Sequence, residues 1–96
     1  MKTITRKQAE LYLAAVKSKY AVYVREMETA PVLIWDWDGT RHPAVCWEEG
    51  PHDWAISCLD ETYVGEYGYT CQPHPAVPGV FAEPHYSFVM MLYPED

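Results

Sequence analysis

Ninety-six residues carry seven Lys and Arg against fourteen Asp and Glu, a formal net charge of −7, with four Trp, eight Tyr and two Phe. A chain of this length admits one domain with one core, so residues 1–96 are expected to form a single unit; no stretch reaches the roughly 18 apolar residues of a membrane span, and MKTITRKQAE lacks the apolar centre of a secretory signal, which predicts a cytoplasmic protein. All seven basic residues and five of the acidic ones lie in residues 1–41, a charge of +2, whereas residues 42–96 hold nine acidic residues and no Lys or Arg, a charge of −9; direct binding to nucleic acid or to an anionic membrane needs clustered cations and is not expected.

The first predicted element is a helix over 5–19. Thr5 and Gln8 have capping-box spacing, and Ile4 and Ala9 stand where a hydrophobic staple would. Ala9, Tyr12, Leu13, Val16 and Tyr20 recur at helical spacing, and Lys17 and Lys19 suit the C-terminal end of the helix dipole. From Tyr20 to Arg25 apolar residues alternate, which predicts a strand. Val32 to Trp37 predicts another. Asp38-Gly39 then has the composition of a two-residue hairpin turn, with a return strand over Thr40 to about Glu49. That register pairs 36 with 41 and 32 with 45, opposing Asp36 to Arg41, and Pro43 implies an edge or a bulge.

Residues 51–59 suit either a strand over Trp54–Leu59 or a short helix opening at Pro51. Residues 60–72 alternate weakly, and the three prolines of 73–79 predict a loop. Val80 to Tyr93 is apolar on both faces toward its end, as a central strand is, and Pro84 implies a bulge or two consecutive strands. The expected architecture is α+β: an N-terminal helix packed on one face of a mainly antiparallel sheet of five or six strands, running to residue 93.

The segment from Pro31 to Thr40, PVLIWDWDGT, resembles the first motif of the haloacid-dehalogenase phosphatase superfamily. The resemblance implies Asp36 as nucleophile and Asp38 as general acid–base beside Mg²⁺, that is, a small Mg²⁺-dependent hydrolase. The rest of the chain argues against that chemistry. The family requires a parallel sheet with crossover helices, about 30 residues for each unit, and only residues 41–96 follow the motif. The reaction also needs a downstream cation to hold the phosphoryl group, and none follows Arg41. Glu48, the nearest further carboxylate, falls at the far end of the hairpin, so Asp36, Asp38 and Glu48 do not cluster for a metal. The chain is therefore expected not to be an enzyme, and no cofactor is implied.

Cys71 and His74 have ligand-like spacing, with Cys46, Cys58, His42, His52 and His85 available to complete a tetrahedral set. No second closely spaced pair accompanies them. Three cysteines are an odd number at spacings that match no common disulfide framework, and they read as reduced, partly buried thiols.

Trp47-Glu48-Glu49-Gly50-Pro51-His52-Asp53-Trp54 places two tryptophans at the flanks of an acidic turn. With Asp60 and Glu61 these residues, Trp47, Glu48, Glu49, Asp53 and Trp54, are the candidate partner-binding set: aromatic anchors with carboxylates for steering. Packing of both tryptophans in the core is the competing expectation. The runs PVLIWDWDG, PAVCWEEGPHDWAI and AEPHYSFVMMLYPED are similar to small orphan proteins of actinobacterial bacteriophages, which implies a host-cytoplasm setting and an accessory role. The leading expectation is a non-enzymatic binding protein that presents an acidic, aromatic surface to a basic-faced protein, as an inhibitor or nucleic-acid mimic would. The alternatives are the hydrolase above and a self-associating structural subunit.

Overall fold

The computed structural model describes residues 3–36, 39, 42–52, 54–57 and 77–94. They form an α+β fold: helices α1 (Arg6–Lys19), α2 (Ala21–Met27) and α3 (Trp54–Ser57), and strands β1 (Val32–Ile34), β2 (Ala44–Cys46), β3 (Val80–Tyr86) and β4 (Val89–Pro94). Among the described residues the sheet has four strands, all antiparallel, in the order β1-β2-β4-β3. Any strand within 60–72, and residues 73–76 of the expected loop, lie outside the described residues.

The start of α1 follows from its local chemistry. The Gln8 amide donates to Thr5 Oγ1 at 3.1 Å and the Thr5 amide donates to Gln8 Oε1 at 3.0 Å, which satisfies two amides that the first turn leaves without helical partners. Ala9, Tyr12 and Val16 are buried along one stripe. The chain does not switch to a strand at Tyr20. The Tyr20 amide donates to the Val16 carbonyl at 3.0 Å and the Val24 amide to the Tyr20 carbonyl at 2.9 Å, so helical bonding resumes at once as α2. The alternation of Tyr20, Val22 and Val24 also contains an i,i+4 pair, and helix uses it: Tyr20 and Val24 pack on the core while Val22, Tyr23 and Met27 stay exposed. Glu28, at φ 56°, ends the helix in the left-handed region.

β4 is central, as continuous apolarity on both faces requires. One face, with Val45, Met90, Leu92, Val80 and Ala82, packs with Tyr12 and Val16 of α1. The alternate residues Ala44, Val89 and Met91 form a second, smaller cluster on the opposite face. Each fully buried Val, Leu or Met of these clusters stabilises the fold by about 1.5–3 kcal/mol. Pro84 lies inside β3, and the ladder to β4 is irregular between Pro84 and Tyr86. Residues 87–88 turn the chain from β3 into β4.

The β1–β2 connection departs from a two-residue hairpin. Val32 pairs with Cys46, Leu33 with Val45 and Ile34 with Ala44, one residue away from the expected register. The ladder stops there, and residues 35–43 make the connection. Asp36 has φ 57° and its carbonyl accepts from the Gly39 amide at 3.1 Å, a turn two residues beyond the end of β1. A one-residue shift decides which side chains face the core. Here Leu33 packs against it and Val32 is 52% exposed. Arg41, the expected partner of Asp36, lies outside the described residues, as do Trp37, Asp38 and Thr40. Pro43 precedes β2, is buried, and its carbonyl accepts from the Leu92 amide at 3.0 Å. At Trp54–Ser57 the helix forms in place of a strand, opened by the Trp54 amide donating to the Pro51 carbonyl at 3.1 Å.

Candidate functional site

The acidic turn is built on buried aromatic rings. Trp47 and Trp54 are 2% and 1% exposed, with centroids 5.9 Å apart, and the Tyr20 ring meets them edge-on at 6.1 and 6.4 Å. Their polar edges are satisfied. Trp54 Nε1 donates to the Trp47 carbonyl at 2.9 Å, and Trp47 Nε1 donates to Thr29 Oγ1 at 2.8 Å. The Thr29 hydroxyl donates in turn to the Glu49 carbonyl at 3.4 Å, and the Tyr20 hydroxyl to the Trp54 carbonyl at 3.3 Å. The Gly50 amide donates to the Trp47 carbonyl at 3.2 Å, and a Cβ at Gly50 would stand 2.5 Å from the Trp47 ring. Gly50 is thus needed for a close approach of backbone to ring.

The two tryptophans are therefore core residues, not exposed anchors; burying the indoles stabilises the turn more than presenting them to solvent would. Glu48 and Glu49 of the candidate set are exposed beside them. Asp53, Asp60 and Glu61 lie outside the described residues. The structure thus brings together Trp47, Glu48, Glu49 and Trp54, with the tryptophans underneath and the carboxylates on top.

Beside the carboxylates a groove of about 320 Å³ opens between the end of α2 and the β1–β2 pair. Ala30, Val32 and Ile34 give it an apolar lining, Cys46 lies beside them, and Glu48 and Glu49 border it, with Thr29 and Trp47 completing the wall. Val32, Ile34 and Cys46 share one sheet face by register, the face opposite α1. The Cys46 thiol is half-buried and reduced. Burial pushes its pKa above the ordinary cysteine range, the Glu48 carboxylate adds to the rise, and a hydrogen bond from the Glu48 backbone partly opposes it. A thiol held neutral in this way is a poor nucleophile.

The same face carries aromatic pairs at its other side. Phe81 and Tyr93, directly opposed in the ladder, stack at 5.3 Å, and His42 approaches Tyr93 at 4.8 Å. Tyr86, 54% exposed, stacks on Phe88 at 5.8 Å, with His85 at 4.6 Å. Among the described residues of the C-terminal half, Tyr86 is exposed, Phe81, Phe88 and Tyr93 are half-buried, and Trp47 and Trp54 are buried. For the first four the signal in the sequence is position: Phe81 and Tyr93 lie near the ends of the run over 80–93, and Tyr86 and Phe88 at the turn inside it.

Charge is uneven across the sheet: Glu10, Glu26 and Glu28 accompany cations on the helical side, and the other face has carboxylates without described Lys or Arg. Every Lys and Arg among the described residues lies on α1 or α2, exposed on the helical side. Glu48, Glu49 and Glu83 lie toward the groove and the aromatic pairs. Cys58, Cys71 and His74 lie outside the described residues, and among those described no three His, Cys, Asp or Glu are grouped to hold a metal ion. The PVLIWDWDGT segment does not have the phosphatase arrangement: β1 pairs antiparallel to its sequence neighbour β2 and has no other partner among the described residues. Compared with protein-family models, with curated proteins and with solved structures, the chain finds no match.

Proposed function

We propose that the protein is a non-enzymatic binding protein whose outer sheet face, acidic and aromatic, meets a basic surface on a partner protein. The uneven charge across the sheet carries the proposal: every described Lys and Arg lies on the helical side, together with Glu10, Glu26 and Glu28, whereas the face with the groove and the aromatic pairs bears Glu48, Glu49 and Glu83 and no described Lys or Arg. Such a field steers a cationic partner to one side of the molecule and turns anionic surfaces away from it. Tyr86, Phe88, Phe81 and Tyr93 supply the rigid aromatic area that interfaces favour. An accessory or inhibitory role in the cytoplasm of a bacteriophage host is part of the same proposal.

Affinity capture from a bacterial lysate at about 50 mM and about 500 mM salt tests the proposal. The expected result is a partner with a basic surface, held at low salt and released at high salt, as screening of exposed charges dictates. Absence of any specific partner at both salt concentrations overturns it.

A further inference from the structure

The lining of the groove combines an aliphatic surface with adjacent carboxylates. Ala30, Val32 and Ile34 supply the first, Glu48 and Glu49 the second. A wholly apolar ligand would leave the carboxylates unused, and a small hydrated cation would leave the aliphatic lining unused. A side chain with an apolar stem and a cationic head matches both.

Two features select arginine over lysine, and a third leaves the carboxylates open to a ligand. Glu48 and Glu49 are consecutive and exposed, so two carboxylates are offered to one head group, and the planar guanidinium, with five donors in a fixed fork, accommodates two acceptors better than a compact ammonium does. Neither carboxylate is engaged in an ion pair with a described residue, whereas the Glu49 carbonyl and the Thr29 hydroxyl are already occupied by the bonds that hold the turn. The carboxylates are therefore the acceptors open to a ligand. Guanidinium is also the more weakly hydrated cation and loses less on partial desolvation against an open apolar groove.

We infer that the groove over β1 and β2 receives an arginine side chain of the partner, its stem on Val32 and Ile34 and its guanidinium at Glu48 and Glu49. The inference rests on the basic-partner proposal and names the contact through which it acts. It also places the Cys46 thiol beside the bound stem, as a reporter of occupancy.

The test is a titration of ¹⁵N-labelled protein at low salt with the blocked peptide Ala-Ala-Arg-Ala-Ala. Its citrulline and lysine counterparts are compared under the same conditions. The expected result is amide shifts at Val32, Ile34, Cys46, Glu48 and Glu49, with the citrulline peptide bound at least about tenfold more weakly and the lysine peptide several-fold more weakly. The double variant Glu48→Gln, Glu49→Gln is isosteric, changes only exposed positions, and should bind the arginine peptide about fivefold more weakly at an unchanged Tm. Alkylation of Cys46, followed by mass spectrometry of the peptide that contains it, should slow in the presence of the arginine peptide and not of the citrulline one. Equal binding of the arginine and citrulline peptides, equal binding of the lysine peptide, or an unaffected double variant overturns the inference. Shifts confined to Phe81, Tyr86 and Tyr93 overturn it too but leave the basic-partner proposal standing. If no basic peptide binds and no lysate protein is captured, both fail.

Discussion

Thr29 is half-buried, and one hydroxyl group joins the end of α2 to the acidic turn. It accepts from Trp47 Nε1 at 2.8 Å and donates to the Glu49 carbonyl at 3.4 Å. Thr29→Val keeps the shape and removes both bonds. The second is near the long limit and contributes little. The first is decisive, because Trp47 is 2% exposed and its N–H would lose its partner. An unsatisfied buried donor costs about 1–3 kcal/mol, and the groove beside Thr29 admits water to part of the site, so the lower half of that range applies, about 1–2 kcal/mol. For a domain of this size each kcal/mol lowers Tm by about 4–8 °C, so Thr29→Val should melt about 5–15 °C below the parent. Thr29→Ser keeps the hydroxyl and gives up one half-buried methyl group, at a cost of about 0.4 kcal/mol. Thermal and urea unfolding of the three proteins provide the comparison. If Thr29→Val is as stable as the parent, or Thr29→Ser as damaged as Thr29→Val, the hydroxyl does not hold the turn.

Gly50→Ala forces a Cβ to within 2.5 Å of the Trp47 ring, so the turn must shift; a loss of about 1–3 kcal/mol in urea unfolding is expected, with an altered near-ultraviolet Trp signal. Glu28→Gly relieves a left-handed conformation at φ 56° and should raise stability by about 0.5–1 kcal/mol after the entropic cost of glycine, read as a higher Tm. Thr5→Ala opens the capping box and should cost about 0.5–2 kcal/mol, seen as a lower urea midpoint. The pH–rate profile of Cys46 alkylation should have its midpoint above that of an unstructured cysteine peptide; Glu48→Gln should lower the midpoint without restoring the ordinary value, because burial is the larger cause of the rise.

What the sequence made legible were features set by short-range chemistry. The start of α1 depends on Thr5 and Gln8 alone, and the central place of β4 on a run whose residues are apolar on both faces. Tyr20–Arg25 was misleading because six residues of alternation also contain a helical i,i+4 pair, and the helical bonds already running through Val16 and Tyr20 decided between them. The β1–β2 register was not readable because it turns on Asp36 adopting a left-handed conformation that Asp tolerates but does not announce. Of the candidate site, the acidic turn was visible as a composition. The groove was not, since it unites Ala30 and Val32 with Glu48 through tertiary contact, and whether Trp47 faced inward or outward depended on a hydroxyl group at Thr29.

Both outer strands of the described sheet have a proline within them or directly before them. β1 spans only Val32–Ile34, with Pro31 before it and the left-handed Asp36 two residues beyond its end. β3 contains Pro84 and breaks its register there. A proline has no amide hydrogen to give, and a three-residue strand offers few free backbone groups, so neither border is a good template for another strand. Among the described residues, neither border of the sheet is thus disposed to edge-to-edge pairing with another strand. Under the proposed binding role, recognition would fall to side chains on the sheet face and not to the indiscriminate hydrogen bonding of a bare strand.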